Sequence, residues 1–207
     1  MPRRKVPLKS GHYYHLYNRG HNRSPIFFQS ENYAFFLGRL REYVTGQTSQ
    51  TSQTSQTSEV FETSEVFETS EVSHVVSHAK IIAYVLMPNH YHLLVQAQTD
   101  ELSHAMQLFG ISYTKAMNKR FQRTGSLFQG AFQAKLVDRD EYLLHLSRYI
   151  HLNPVRANLV KYSEDWIYSS YRDYIGLRDG TLPQPEIVLD QFVCRDDYKA
   201  FVEAYTA

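Results

Sequence analysis

Met87-Pro88-Asn89-His90-Tyr91-His92-Leu93-Leu94-Val95 decides how the chain is read, because it joins two apolar runs through a single turn. The run 80–86 has the pattern of a buried strand, Pro88-Asn89 is turn chemistry, and 90–97 is a second strand. Successive side chains of a strand point to opposite faces, so His90 and His92 share one face while Tyr91 and Leu93 take the other. Two imidazoles spaced ~7 Å apart along a rigid strand are able to converge on one divalent cation. They are also able to be polar surface or hydrogen-bonded core, the commoner outcome for so short a motif. A bare His-x-His leaves both readings open.

Outward from this hairpin, the chain alternates between strand and helix patterns. Residues 13–17 form a short strand pattern closed by Asn18-Arg19-Gly20. Ser30 is the expected N-cap of a helix over 30–43, with Phe35, Phe36, Leu37, Leu40 and Tyr43 as its apolar positions. A second helix is expected over 101–123, followed by a turn at Gly125 and a strand over 132–137. A third helix over 140–152 is expected to stop at Pro154. The first six elements run β-α-β-β-α-β, which predicts an α+β fold: a ferredoxin-like antiparallel sheet with helices on one face, to which the third helix is an addition.

Between the first helix and the hairpin lies a low-complexity insertion, 46–78, built from Thr-Ser-Gln and then Thr-Ser-Glu-Val-Phe-Glu units. Short identical tandem units of this kind predict a flexible insertion in a loop, or a protruding hairpin through Val60, Phe61, Val66 and Phe67. Five of the 21 acidic residues fall here, with no Lys or Arg, so the rest of the chain is more basic than the formal net charge of +1. A basic body accommodates nucleic acid without requiring it. No apolar run is long enough for a membrane span, and no apolar segment follows the basic start Met1-Pro2-Arg3-Arg4-Lys5. The single cysteine, Cys194, excludes an intrachain disulfide and fits a reducing cytoplasm.

The third helix supplies the candidate partners of the histidines. Leu143, Leu146 and Ile150 make its core stripe, and Tyr142, Tyr149 and Asn153 lie beside it. Tyr149 and Asn153 are four apart and therefore stacked on one face. An amide oxygen one turn from a phenol can complete a two-histidine metal site with Tyr149 facing the same cation. A core-edge aromatic and a helix-ending Asn before proline explain the same residues as well.

The pairing of Met87-Pro-Asn-His-x-His-Leu-Leu with Arg148-Tyr-Ile-x-Leu-Asn-Pro-Val-Arg156 resembles the REP-associated tyrosine transposases, a branch of the HUH superfamily related to insertion-sequence transposases with one catalytic tyrosine. The segments Tyr14-His15-Leu-Tyr-Asn-Arg-Gly20, Ser112-Tyr-Thr-Lys-Ala-Met-Asn118, Gly125-Ser-Leu-Phe-Gln-Gly130 and Asp165-Trp-Ile-Tyr-Ser-Ser-Tyr171 resemble the same family. The resemblance implies one HUH domain over 1–178 and a C-terminal extension over 179–207. It implies that His90, His92 and Asn153 are metal ligands for Mg²⁺ or Mn²⁺ and that Tyr149 is the nucleophile. Family members often carry a basic residue where this chain has Ala131, a departure that bears on one phosphate contact and not on the chemistry.

The function implied by this resemblance is that of an endonuclease and transposase of the bacterial cytoplasm, one that cleaves single-stranded DNA beside hairpins of repetitive extragenic palindromes and rejoins it. A monomer is favoured over a homodimer. Phosphate contacts are expected from Arg3, Arg4, Lys5, Arg19, Arg23, Lys115, Lys119 and Arg120, and base stacking from Tyr17 and Tyr113. Two rivals stand beside this reading: a hairpin-binding module of the same fold that does not cut, and a zinc hydrolase built on the histidine pair.

Overall fold

Near-continuous apolar runs along 79–87 and 90–97 give these strands two buried faces, and the structure uses both. It is a computed structural model that describes residues 6–47 and 76–204; the repeat over 48–72 lies outside them, as do Arg3, Arg4 and Lys5. Four strands, β1 (Tyr13–Arg19), β2 (Ala79–Met87), β3 (His90–Ala97) and β4 (Gln133–Val137), form one sheet in the order β2-β3-β1-β4. All three pairings are antiparallel. This is the ferredoxin-like arrangement. One bulge interrupts it: Ile81 pairs with Val95 and Ala83 with Leu94, so Ile82 is the extra residue.

On one face, Tyr14, Leu16, Leu86, Tyr91, Leu93 and Val95 are buried with residues of α1 (Ser30–Leu40) and α2 (Leu102–Arg120). Phe36 of α1 and Phe109 of α2 meet edge-on at 4.8 Å at the centre of this layer. On the other face, Ala83, Val85, Met87 and Leu94 are buried under Leu143, Leu146 and Ile150 of α3 (Asp140–Arg156). The stripe read from helical spacing is thus the buried side of α3.

Three helix boundaries differ from expectation. Gln29, not Ser30, caps α1, in a reciprocal pair with Asn32, whose Oδ1 accepts from the backbone N–H of Phe28 and Gln29. A π-helical turn, Arg41–Thr45, follows α1 and ends at Gly46 with φ 66°. α3 runs through Pro154 to Arg156. Proline there removes one hydrogen bond in the last turn, where the chain recovers through Ala157 N–H to Asn153 O at 3.0 Å and Leu159 N–H to Pro154 O at 3.0 Å.

The C-terminal extension packs against the same side as α3. Before it, α4 (Tyr171–Tyr174) and the segment leading to that helix shield the free edge of β2, with Ser170 N–H donating to Tyr84 O and Leu86 N–H to Tyr168 O. The extension's own helices, α5 (Glu186–Leu189) and α6 (Arg195–Glu203), bury Val188, Tyr198 and Val202.

Candidate active site

β3 presents His90 and His92 to the face that α3 partly covers, and β1 presents His15 and Tyr17 to the same face. The rings of His90 and His92 stand 5.1 Å apart, nearly perpendicular. Tyr149 of α3 meets the His92 ring edge-on at 5.4 Å and the His15 ring at 6.3 Å, and it remains 37% exposed. Asn153, one turn further along α3, hydrogen-bonds to His90. Sheet and helix therefore bring together all four residues that spacing singles out.

Neighbours fix both imidazoles. His90 Nδ1 donates to Asn89 Oδ1 at 2.6 Å, and His92 Nδ1 shares a proton with His15 Nε2 across 2.8 Å. Burial pushes the His92 ring down to about 2, with His15 and His90 adding to the effect, and burial and then the Lys135 charge push His15 down to about 4. His90 is lowered too, by burial above all, with the Asn153 hydrogen bond opposing and the Arg19 charge assisting. Neutral rings keep the lone pair that a metal needs, and Nδ1 of each is engaged by a neighbour. Among the described residues no group of three or more His, Cys, Asp or Glu is placed to hold a metal ion by itself. The donor set here is two imidazoles and an amide, which suits a divalent cation that takes its remaining ligands from water and phosphate.

His15 is a site residue that reading the sequence missed. The signal was present: in Tyr13-Tyr14-His15-Leu16-Tyr17, alternation puts His15 on the face of Tyr17. Which face that was, relative to His92, depended on strand order.

A cleft of about 830 Å³ opens beside the histidines, lined by Tyr17, Arg19, Arg23, Gln129 and Gln133 among others, and no carboxylate is among the described residues that line it. Arg19 is steadied by its Nε–H donating to the Gln129 side chain. Ala131 also lines the cleft. The remaining candidates do not join this site. Lys115, Lys119 and Arg120 are exposed on α2, which covers the opposite face of the sheet. Tyr113 requires correction: it is fully buried, its hydroxyl donates to Ile26 O at 2.8 Å, and Phe36 and Phe27 pack around it, so it offers no face to a base.

Residues 56–153, which include both histidines, Tyr149 and Asn153, match the family model of IS200-like transposases. Over that stretch, a little under half of its length, the chain is similar to the IS200-like transposases. No curated protein is matched by sequence. A solved structure of a REP-associated tyrosine transposase bound to a REP hairpin superposes with a TM-score of 0.58 at 16% identity, over 89% of this chain and 97% of that one. At that identity the likeness is one of fold. The family match takes in His90, His92, Tyr149 and Asn153 of the cluster, and His15 lies outside it. Among the described residues no helix is long and apolar enough to cross a membrane.

Proposed function

We propose that this chain is a metal-dependent transposase that cuts single-stranded DNA beside a hairpin and rejoins it through a 5′-phosphotyrosine on Tyr149. The observation that carries the proposal is the meeting of Tyr149 with His92 at 5.4 Å, on the face where His90 and Asn153 are hydrogen-bonded. Hairpins of the REP type are the substrate class, by analogy with the DNA held by the structural neighbour.

A phosphodiester resists attack because its charge repels nucleophiles. Mg²⁺ or Mn²⁺ held by His90, His92 and Asn153 would polarise the scissile phosphate and neutralise charge developing on it. The residues of the chain do the rest. Asn89 and His15 orient the imidazoles, and α3 holds the phenol against them, so orientation is set before DNA arrives. The Tyr149 oxygen forms a bond to phosphorus while the bond from phosphorus to the 3′ oxygen breaks. The phenol's proton passes to solvent, and the leaving 3′ oxygen takes one up. One phosphoester replaces another, so rejoining needs no nucleotide cofactor. Arg19 and Arg23 meet flanking phosphates, and Tyr17 on the cleft floor stacks on a base. Strand and helix of a single chain supply every member of the site, which supports action as a monomer.

A labelled hairpin oligonucleotide with a single-stranded flank, incubated with Mg²⁺ or Mn²⁺, tests this. A covalent adduct that mass spectrometry maps to Tyr149, and that Tyr149→Phe abolishes while hairpin binding persists, is the expected result. Absence of an adduct in every divalent metal would make the chain a hairpin binder. Full cleavage by the Phe variant would make it a hydrolase.

A further inference from the structure

Arg156 ends the motif that begins at Arg148, and the proposed chemistry does not use it. Because α3 continues through Pro154, Tyr149, Asn153 and Arg156 stand at i, i+4 and i+7 and share one face of the helix. The side chain of Arg156 folds back along that face, bringing its guanidinium carbon 5.9 Å from the centre of the Tyr149 ring. Arg156 is exposed, so its charge is held at the site without being desolvated. Arg148, the other arginine of the motif, turns the other way, to the Phe201 ring at 4.4 Å. Only one of the two arginines is placed at the phenol.

A guanidinium offers a planar fork of donors that matches two oxygens of a phosphate, which a point charge does not. Any phosphate attacked by the Tyr149 oxygen must come within reach of a group packed against the same ring. We propose that Arg156 is a further catalytic residue that grips the non-bridging oxygens of the scissile phosphate, and of the phosphotyrosine that replaces it. This rests on the reading of the chain as a cleaving enzyme. Arg156 then stands on the helix side of the phosphate while the His90–His92–Asn153 set stands on the sheet side. The bland alternative is a cation at a helix C-terminus stacked on an aromatic ring, which contributes to stability alone.

Adduct formation by wild type, Arg156→Lys and Arg156→Gln distinguishes the two, on a hairpin carrying either a normal phosphodiester or an uncharged methylphosphonate at the mapped cleavage point. On the phosphodiester, Arg156→Gln is expected to lower the saturating rate on the order of a hundredfold, with hairpin affinity near wild type, and Arg156→Lys to restore part of the loss. On the methylphosphonate the gap between wild type and Arg156→Gln should shrink to within a few-fold, because no charge is left to grip. An equal penalty on both linkages, equal rates for the Lys and Gln variants, or an unimpaired Gln variant would overturn the role of Arg156. If neither protein cleaves the neutral linkage, the Lys-against-Gln comparison decides. Wild type forming no adduct would instead remove the cleavage reading itself, and the role of Arg156 with it.

Discussion

A phenol becomes a useful nucleophile only where its proton leaves readily and its oxygen is aimed, so the neighbours of Tyr149 matter as much as its identity. His90 and His92 were legible as a pair because a strand's two-residue period needs no tertiary information. Tyr149 and Asn153 were legible as a stacked pair by helical spacing for the same reason. That the two pairs face each other, and that His15 stands behind His92, is decided by strand order and by which face α3 covers, and no local pattern encodes those. Tyr113 was misread because a tyrosine on a helix near basic residues looks identical whether it points to solvent or to core. His15→Phe keeps ring volume on β1 but removes the hydrogen-bond partner of His92. Its expected effect is a loss of Mn²⁺ affinity of about 10–100-fold by calorimetry, with metal-free hairpin binding unchanged. Wild-type Mn²⁺ affinity in that variant would leave His15 no part in orienting His92.

At the scale of elements, α3 has two working sides. Tyr149 faces the histidines, while His151, two residues on and ~200° around the helix, is fully buried on another side. There His151 Nδ1 meets the Tyr198 hydroxyl of α6 at 2.7 Å and Nε2 meets Ser170 Oγ at 2.8 Å, and Tyr198 donates on to Ser147 Oγ at 3.1 Å. Burial pushes His151 down to about 3, so it stays neutral and bridges two hydroxyls. The C-terminal extension therefore grips the helix that carries Tyr149 from behind. Tyr198→Phe strands one nitrogen of His151 inside this network and should cost about 1–3 kcal/mol in chemical denaturation, with cleavage reduced less than stability. Unchanged stability would mean that α6 is held by packing alone. The sequence revealed α3 and its core stripe but placed its end at Pro154, since a proline rule cannot see that only one hydrogen bond was at stake so near the terminus.

Across the whole molecule, the order β-α-β-β-α-β sufficed for the sheet because hairpins and right-handed crossovers leave few alternatives. How the insertion joins this frame was not legible in advance. Gly46 holds φ 66°, and a Cβ there would meet Val76 O at 2.8 Å, so glycine is required for the two flanks to pass so closely. His78 N–H donates to Val44 O at 2.9 Å just beyond. The frame closes upon itself on either side of 48–75. Replacing that stretch with a short Gly-Ser turn is expected to leave the melting temperature within about 2 °C and the rate of adduct formation intact. A large drop in either would show that the repeat has a role in the folded body.

That closure has an evolutionary consequence. Tandem triplets and sextets of codons gain and lose units when a polymerase slips, and most proteins suffer for it. Here the entry and exit of the repeat are clamped to each other by backbone alone, so copy number can drift between generations while the distance from β1 to β2 that the sheet experiences stays the same.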